Sequence, residues 1–308
     1  MTPEVIVSII ATVMTAATPL LIAATGELVV ERAGVLNLGV EGMMVVGAVA
    51  GFAGAQLTGN AWGGVGLAIA CGAAFSLLFG ILALTLATNQ VATGLSLTLL
   101  GLGVSGMVGE AFIGQPGVKM ASVNIPGLSD LPIVGPLLFG QDPIFYISIA
   151  LVVGVSWFLF KTRAGLQLRA IGNNHGSAHA LGIRVITVRY LAVMFGGACA
   201  GLAGAQLSLV YTPQWTEDMT AGRGWIALAL VVFASWRPGR VLIGAYLFGA
   251  VTIAQFHAQA FGVAIPSQLL SALPYVSTIV VLVLISANRR MTMQNTPAAL
   301  GKTFVPDH

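Results

Sequence analysis

The sequence has 308 residues, of which 57% are hydrophobic and only 7% are Asp, Glu, Lys or Arg. Soluble domains carry about 25% charged residues, and the mean hydropathy of +0.93 points the same way. The composition therefore excludes a soluble enzyme, a nucleic-acid-binding protein and a disordered scaffold, and it predicts an integral membrane protein surrounded by lipid.

Long, almost continuous apolar runs predict membrane-spanning α-helices rather than the alternating segments of a transmembrane β-barrel. No Lys or Arg precedes the first run, so an uncleaved span is predicted there rather than a signal peptide. In chain order the predicted spans cover residues 5–24, 42–58, 61–88, 91–109, 143–160, 189–211, 225–236, 241–262 and 274–288. The run at 225–236 is too short to cross alone and predicts a half-helix, or a span that borrows residues from its flanks.

The basic residues predict the orientation of the chain in the membrane. If the loop 161–188 lies in the cytoplasm, eleven of the thirteen Lys and Arg residues are inside, and only Lys119 and Arg223 are outside. The positive-inside rule selects this orientation. It places the N-terminus outside and the C-terminus in the cytoplasm, which requires an odd number of spans and agrees with nine.

The expected fold is thus an all-α polytopic bundle of about nine spans. Residues 1–290 form a single transmembrane domain, and 291–308 form a cytoplasmic tail. Residues 110–142, which contain four prolines, form a long outside loop because they cannot make one regular helix. A weak similarity between the segments that follow spans 5–24 and 189–211 leaves open an inverted repeat of four spans, one connecting span and four spans.

The cytoplasmic loop 161–188 contains a short predicted amphipathic helix from Ser177 to Leu181, with Gly176 and Gly182 on either side. Glycines in such positions end helices and set sharp turns. A surface helix of this kind can dock into a groove of a soluble partner. The alternative is a basic loop whose only role is to fix the topology.

Two apparent motifs predict no site. His175 and His179 have the i, i+4 spacing of zinc ligands, but no further ligand is visible, so no metal is expected. Gly301, Lys302 and Thr303 resemble the end of a phosphate-binding loop, but Thr296 occupies the position where that motif requires its first glycine. No cofactor is therefore expected in this chain, and any ATP hydrolysis must come from a separate subunit.

Polar residues in or beside the spans are candidates for a substrate pathway, because buried polar groups are costly in a membrane and usually serve a pathway or a packing contact. The candidates are Asn37, Glu41, Gln90 and His257. A structural role at a broken helix start is favoured for Glu41, where a carboxylate meets unpaired N–H groups. Packing roles are equally compatible with Asn37 and His257.

Two strings resemble a known family. The pattern Gly-x3-Arg-Ala-x-Gly from Gly165, followed by Ala-x-Ala-Leu-Gly-Ile from Ala178, resembles the ATPase-docking loop of permeases of ATP-binding-cassette (ABC) importers. The match is to the branched-chain amino acid, simple-sugar and nucleoside superfamily. The string from Gly26 to Gly42 resembles the nucleoside-type subfamily, and residues 125–139 fit it. The resemblance covers about residues 10–290.

The resemblance implies a permease subunit in a bacterial cytoplasmic membrane that passes nucleosides or related small polar solutes. Simple sugars or a flavin-like vitamin are alternative substrates. The implied partners are an ABC ATPase that binds ATP and Mg²⁺, a second permease subunit in a heterodimer, and an extracytoplasmic substrate-binding protein. The residues implied in ATPase docking are Arg169, Gly172, Ser177, Ala180 and Gly182. Family members often carry Pro-Glu-Ala-Ala-like residues where this chain has His175 to His179, a departure that suggests different side-chain pairing.

An ion-coupled secondary transporter is the competing hypothesis, and it would need a buried carboxylate as its coupling site. Glu27, Glu31 and Glu110 fall at the ends of predicted spans, which weighs against it. A membrane-embedded enzyme would need clustered His, Asp or Ser groups at one depth, and none is evident.

The outside loop 212–224 is the predicted contact for the binding protein. It combines Trp215, expected to be exposed, with the paired carboxylates of Glu217 and Asp218. The alternative is that this acidity only reflects the exclusion of Lys and Arg from outside loops.

Overall fold

The computed structural model describes residues 3–129, 131–260, 266, 269–270, 272–286 and 295–305. Throughout these ranges the regular structure is helical. The helices are α1 (Pro3–Arg32), α2 (Val40–Thr58), α3 (Ala61–Gly80), α4 (Gln90–Gly109), α5 (Pro143–Lys161), α6 (Arg163–Asn173), α7 (His175–Ala180), α8 (Val185–Gln206), α9 (Arg223–Phe233), α10 (Pro238–Ala260) and α11 (Leu273–Ser286). Wider helical turns at Ile81–Thr85 and Leu207–Tyr211 extend α3 and α8, a third lies at Gly135–Phe139, and a tighter three-residue turn lies at Glu110–Phe112.

Seven helices in the described part of the chain are long and apolar enough to cross a membrane, namely α1 to α5, α8 and α10. Helix α9 has only 11 residues. At 1.5 Å per residue it covers about 17 Å, roughly half of a 30 Å hydrocarbon core. The structure thus confirms that the apolar run near 225–236 does not cross alone. The last residues of the predicted span 274–288 lie outside the described residues.

Several helices begin at a polar residue that accepts a backbone hydrogen bond. Asn60, Asn89 and Asp142 cap α3, α4 and α5 at 2.9–3.0 Å. Thr162 and Asn174 cap α6 and α7 in the same way, at 3.0 Å. Such caps satisfy N–H groups that have no partner within the helix, so the sequence itself marks where these helices start.

Helices α2, α3 and α8 pack closely through glycine. A Cβ added at Gly47 of α2 would lie 2.4 Å from the Cα of Gly201 in α8, and one added at Gly72 of α3 would lie 2.3 Å from the carbonyl of Gly197. Small residues at crossings let helix backbones approach, which is the main way in which helices associate in lipid. The glycine-rich composition therefore builds the centre of the bundle.

Helices α1 and α8 pack against each other in opposite directions. Near the end of α1, the Arg189 guanidinium donates to the carbonyl of Ala33 at 3.1 Å. Far from that end, Gln206 donates to the carbonyl of Thr15 at 3.2 Å. The end of α1 and the start of α8 therefore meet at one end of the bundle.

That end also receives the start of α10 and the chain's C-terminal residues. Arg32 donates to the carbonyls of Trp236 and Asn295 at 2.8–3.2 Å. Arg189 donates to the carbonyl of Lys302 at 3.3 Å. We call this the basic end, defined by Arg32, Arg189, Lys302 and the helices α6 and α7.

Helix α1 corrects one prediction. The span was expected to stop at residue 24, with Glu27 and Glu31 beyond its end, but α1 continues to Arg32 and both carboxylates are buried within it. Nothing between residues 24 and 32 breaks a helix; the helix ends only before Gly34, whose φ is +81°. Glu31 accepts a hydrogen bond from the indole of Trp236 at 2.5 Å, so it is paired inside the bundle.

Candidate functional site

The chain is irregular between α1 and α2, although it is buried there. The Asn37 side chain accepts from the backbone of Gly39 at 2.9 Å. The backbone of Leu36 donates to Gln90 at 2.8 Å, and that of Asn37 donates to Glu27 at 3.4 Å. Non-helical backbone at membrane depth needs such partners within the protein. These side chains therefore stabilise the non-helical backbone between α1 and α2.

Helix α9 begins against the start of α2. One oxygen of the buried Glu41 carboxylate accepts from the hydroxyl of Thr220 at 2.5 Å and from the backbone of Gly222 at 2.9 Å. Its other oxygen accepts from the backbone of Gly224 at 2.5 Å. A carboxylate in this position satisfies unpaired N–H groups and the positive end of the helix dipole. We call residues 33–41 with 220–224 the interior junction.

The structure gathers three of the four predicted pathway residues. Asn37, Glu41 and Gln90 all lie at or against the interior junction, are buried, and bond to protein groups. His257 lies elsewhere. It follows Gly249 by eight residues along α10, and Gly249 packs on α1 around Ala17, about 15 residues before the end of that helix. His257 therefore lies towards the end of the bundle opposite the basic end.

At the basic end, α6 packs under the end of α1. A Cβ added at Gly172 would lie 2.1 Å from the carbonyl oxygen of Arg32. Helix α7 then runs from His175 to Ala180 and is followed by Gly182 at φ +80°. The predicted helix start is corrected, since the cap is Asn174 and Gly176 lies inside the helix. Asn is a stronger cap than glycine, because its side chain accepts a backbone hydrogen bond.

The residues implied in ATPase docking divide into two groups. Ser177, Ala180 and Gly182 are exposed and available to a partner. Gly172 is buried, and Arg169 is half-buried with its guanidinium 5.2 Å from the ring of Phe160. The exposed group lies on α7 or just after it, and the packed group lies on α6. Helix α6 thus holds the segment against the bundle, and α7 is the part presented.

One component of the basic end was not predicted from the sequence, namely the C-terminal segment, which we define as residues 295–305. The backbone of Ala299 donates to the carbonyl of Gly172 at 2.8 Å. The backbone of Gly301 donates to the carbonyl of Gly34 at 3.2 Å. The segment therefore joins α6 to the turn before α2. The short apolar stretch 297–300, followed by the aromatic Phe304, is the signal that could have indicated packing.

His175 lies where α7, α8 and the C-terminal segment meet. Its Nδ1 is 3.2 Å from the guanidinium of Arg189. Its ring centroid lies 5.1 Å from that of Phe304, which also lies 5.4 Å from the ring of His179. Burial lowers the pKa of His175, and the charges of Arg189 and Lys302 lower it further. The neutral ring therefore accepts from Arg189.

The loop between α8 and α9 corrects another prediction. Trp215 was expected to be exposed, but it is only 2% exposed and packs among Ala48, Val49 and Phe52 of α2. A Cβ added at Gly109 of α4 would collide with its indole. The chain must return from the end of α8 to the interior junction, which places the ring inside. Glu217 and Asp218 are exposed, as predicted.

A polar cavity of about 590 Å³ lies at the end of the bundle opposite the basic end. It opens between the first turns of α1, residues 122–141 and the turn that extends α8. The side chains that line it with a hydroxyl or amide group are Ser8, Thr12, Thr15, Ser122, Asn124, Gln141 and Tyr211. Across the described ranges, no group of three His, Cys, Asp or Glu side chains is arranged to hold a metal ion. The cavity thus offers neutral hydrogen-bonding groups.

Residues 9–287 match the family described as the permease component of branched-chain amino acid transport systems. The chain belongs to this permease family. It is a multi-pass protein of the cytoplasmic membrane, and its role is transport rather than covalent catalysis. Family membership implies, in general, an ATPase partner and a substrate-binding protein. No solved structure matches the permease significantly.

Three relatives cover most of the permease. It is 42% identical to a putative glucose ABC transporter permease protein, TsgC13, of Haloferax volcanii, over 94% of each chain. It is 34% identical to the guanosine ABC transporter permease protein NupQ of Bacillus subtilis, over 76% of this chain and 77% of that one. It is 31% identical to the nucleoside ABC transporter permease protein NupC of Lactococcus lactis, over 90% and 91%.

Proposed function

We propose that the permease is the membrane-spanning subunit of an ABC importer for nucleosides or related small polar solutes. The family match supports the transport role, and the relatives NupQ and NupC support nucleosides. The observation that carries the proposal is the basic end, where the exposed α7 is joined through α6 to the ends of the helices around the interior junction. This is the arrangement that a soluble ATPase needs in order to move the bundle.

The proposed assembly contains an ABC ATPase that binds ATP and Mg²⁺ at the basic end. A substrate-binding protein delivers solute at the opposite end, where Glu217 and Asp218 are exposed in the loop between α8 and α9. A second, different permease subunit completes the pathway as a heterodimer. The polar cavity between α1 and residues 122–141 supports entry of a hydroxyl-rich solute on this side, since its lining offers hydrogen-bond donors and acceptors without charge.

We propose that motion passes from α7 to the interior junction. When the ATPase closes, α7 and α6 shift together, and Gly172 bears on the carbonyl of Arg32. The turn after Arg32 leads directly into the break before α2. Glu41 then connects α2 to α9, because its carboxylate bonds to the first turn of that helix. Helices α2 and α9 therefore respond as one unit.

The proposed topology has nine crossings, with the N-terminus outside. Residues 212–222 and α9 together make one crossing, because α8 starts at the basic end and Trp236 lies there again beside Arg32. Helix α11 makes the ninth, returning towards Asn295 at the basic end. The chain contains two similar units, each made of a long helix, a non-helical break and a second helix. The first unit is α1 and α2, and the second is α8 and α9. The opposite directions of α1 and α8 support an inverted repeat.

Cysteine labelling tests the topology. Single cysteines at Ser177 and Ala121, both exposed, should react with an impermeant maleimide from opposite faces of the membrane, Ser177 only from the cytoplasm. Labelling of both from one face would contradict the nine-crossing arrangement.

Uptake by cells tests the substrate class. A strain lacking the permease should lose uptake of radiolabelled nucleoside and regain it with the wild-type gene. A simple sugar is the second candidate, because the relative TsgC13 is named for glucose. Unlabelled nucleosides should compete and glucose should not; competition by glucose alone would assign the permease to sugars instead.

A further inference from the structure

We propose that the C-terminal segment, residues 295–305, forms the second half of the surface that receives the ATPase, so that the partner contacts α7 and this segment together. The inference rests on the proposed function and extends it. The C-terminal segment would then take part in the coupling between the ATPase and the membrane-spanning helices.

The C-terminal segment is attached to the bundle through four hydrogen-bonded residues, one of which is Lys302, whose carbonyl accepts from Arg189 at 3.3 Å. Its start accepts a hydrogen bond from Arg32 through the carbonyl of Asn295 at 3.1 Å. Its middle bonds to Gly172 and Gly34 through the backbones of Ala299 and Gly301. These partners belong to α6 and to the turn before α2, the elements that carry α7 and lead to the interior junction. A segment held in this way moves with α7.

Phe304 makes α7 and the segment one continuous surface. Its ring stacks at an angle against His175 and edge-on against His179, the first and fifth residues of α7. On its inner side it packs on the small apolar cluster of Ile171, Ala178 and Val185. A partner that covers the exposed side of α7 must therefore also meet the residues beside Phe304.

Exposed aliphatic side chains flank this contact. Leu181 is 82% exposed at the end of α7, and Val305 is 68% exposed directly after Phe304. Single exposed aliphatic residues are common on protein surfaces. Here, however, both lie at the basic end and border one shared patch. Exposed apolar residues that share one patch can anchor a partner by filling its apolar recess.

The charge around the patch specifies the chemistry of the partner. Residues 161–189 and 295–305 contain six Lys or Arg residues and no Asp or Glu: Lys161, Arg163, Arg169, Arg184, Arg189 and Lys302. Of these, Arg184 and Lys302 are exposed beside α7 and the C-terminal segment. Complementary potential favours a partner whose apolar recess is rimmed by carboxylates. The proposed occupant is therefore an ATPase with an acidic rim.

The test measures binding of the purified partner ABC ATPase to nanodiscs that contain the full-length permease together with its partner permease. Leu181→Asp and Val305→Asp should each weaken binding about tenfold or more, because each places a charge in an apolar recess. Val305→Leu should bind like wild type. Size-exclusion profiles should be unchanged, since the Val305 side chain is largely exposed.

Phe304→Ala provides a second variant, which should loosen α7 and also weaken ATPase binding. If Leu181→Asp weakens binding while Val305→Asp and Phe304→Ala bind like wild type, the role of the C-terminal segment is refuted and the proposed function stands. If wild-type permease does not bind the ATPase, the proposed function and this inference both fail.

Discussion

Replacement of Glu41 by Gln tests whether the interior junction is held by a helix cap. In the structure one Glu41 oxygen accepts two hydrogen bonds and the other accepts one, all from the residues that start α9. A Gln side chain keeps the first oxygen but presents an NH₂ group in place of the second. That NH₂ group cannot accept a hydrogen bond from the backbone N–H of Gly224, so two hydrogen-bond donors, the NH₂ group and this N–H, then face each other.

The expected loss follows from these bonds. A hydrogen bond to a charged group contributes about 1.5–3 kcal/mol, and a buried donor left unpaired costs about 1–3 kcal/mol. Because two bonds survive in weakened form, we expect Glu41→Gln to destabilise the permease by about 2–4 kcal/mol in total. With an unfolding entropy of about 2.1 cal/mol/K per residue, this loss lowers the Tm of a 308-residue chain by about 3–6 °C.

The assay is thermal unfolding of the purified full-length permease in detergent, followed by tryptophan fluorescence. Glu110→Gln is the matched control, because Glu110 is exposed at the end of α4 and its side chain accepts no hydrogen bond from the described residues; its effect should stay within about 0.5 kcal/mol. Equal Tm values for both variants would refute the cap. Lost uptake with an unchanged Tm would assign Glu41 to the substrate pathway.

Three further predictions follow from the basic end and from α4. Gly172→Ala should reduce uptake several-fold because its Cβ would overlap a carbonyl of α1, whereas Gly176→Ala, whose Cβ meets only a side-chain oxygen at 3.5 Å, should transport normally. Gly109→Ala should lower the Tm by displacing the buried indole, and Gly103→Ala, which faces open space on the same helix, should not. Burial lowers the pKa of His175, so the ring that packs beside Arg189 is the neutral form. As the pH falls below about 6.5, protonation of His175 should loosen α7 and increase proteolysis within that helix. His175→Gln should remove this pH dependence.

The local features of the fold could be predicted from the sequence. Apolar runs predicted the long helices, and the short run 225–236 predicted a segment that cannot cross the membrane alone, because the length of a run relative to membrane thickness is a local property. A short helix between residues 174 and 182 was also predicted, since a Gly-punctuated basic loop is visible in the sequence. The helix cap at Asn174 was misplaced by two residues because two glycines were given the role that the Asn side chain fills.

The contacts between distant parts of the chain could not be predicted. Glu41 bonds to residues about 180 positions away, and sequence reasoning could place it only at a broken helix start. Trp215 was expected in solvent because polar neighbours surround it in the sequence, yet the loop must descend to the interior junction and carries the ring inside. The C-terminal segment looked like a polar tail, and its packing is shown by hydrogen bonds to distant residues such as Gly172 and Gly34, which the sequence does not reveal.

The central claim is that an ATPase bound at the basic end drives solute through this permease. The most direct measurement is uptake of radiolabelled nucleoside into proteoliposomes that contain the permease, its partner permease and the ABC ATPase, with the binding protein outside and ATP inside. The account predicts uptake that requires ATP and Mg²⁺, that stops when the ATPase is hydrolysis-deficient, and that falls sharply with Leu181→Asp. Uptake driven by an ion gradient without ATP would contradict it.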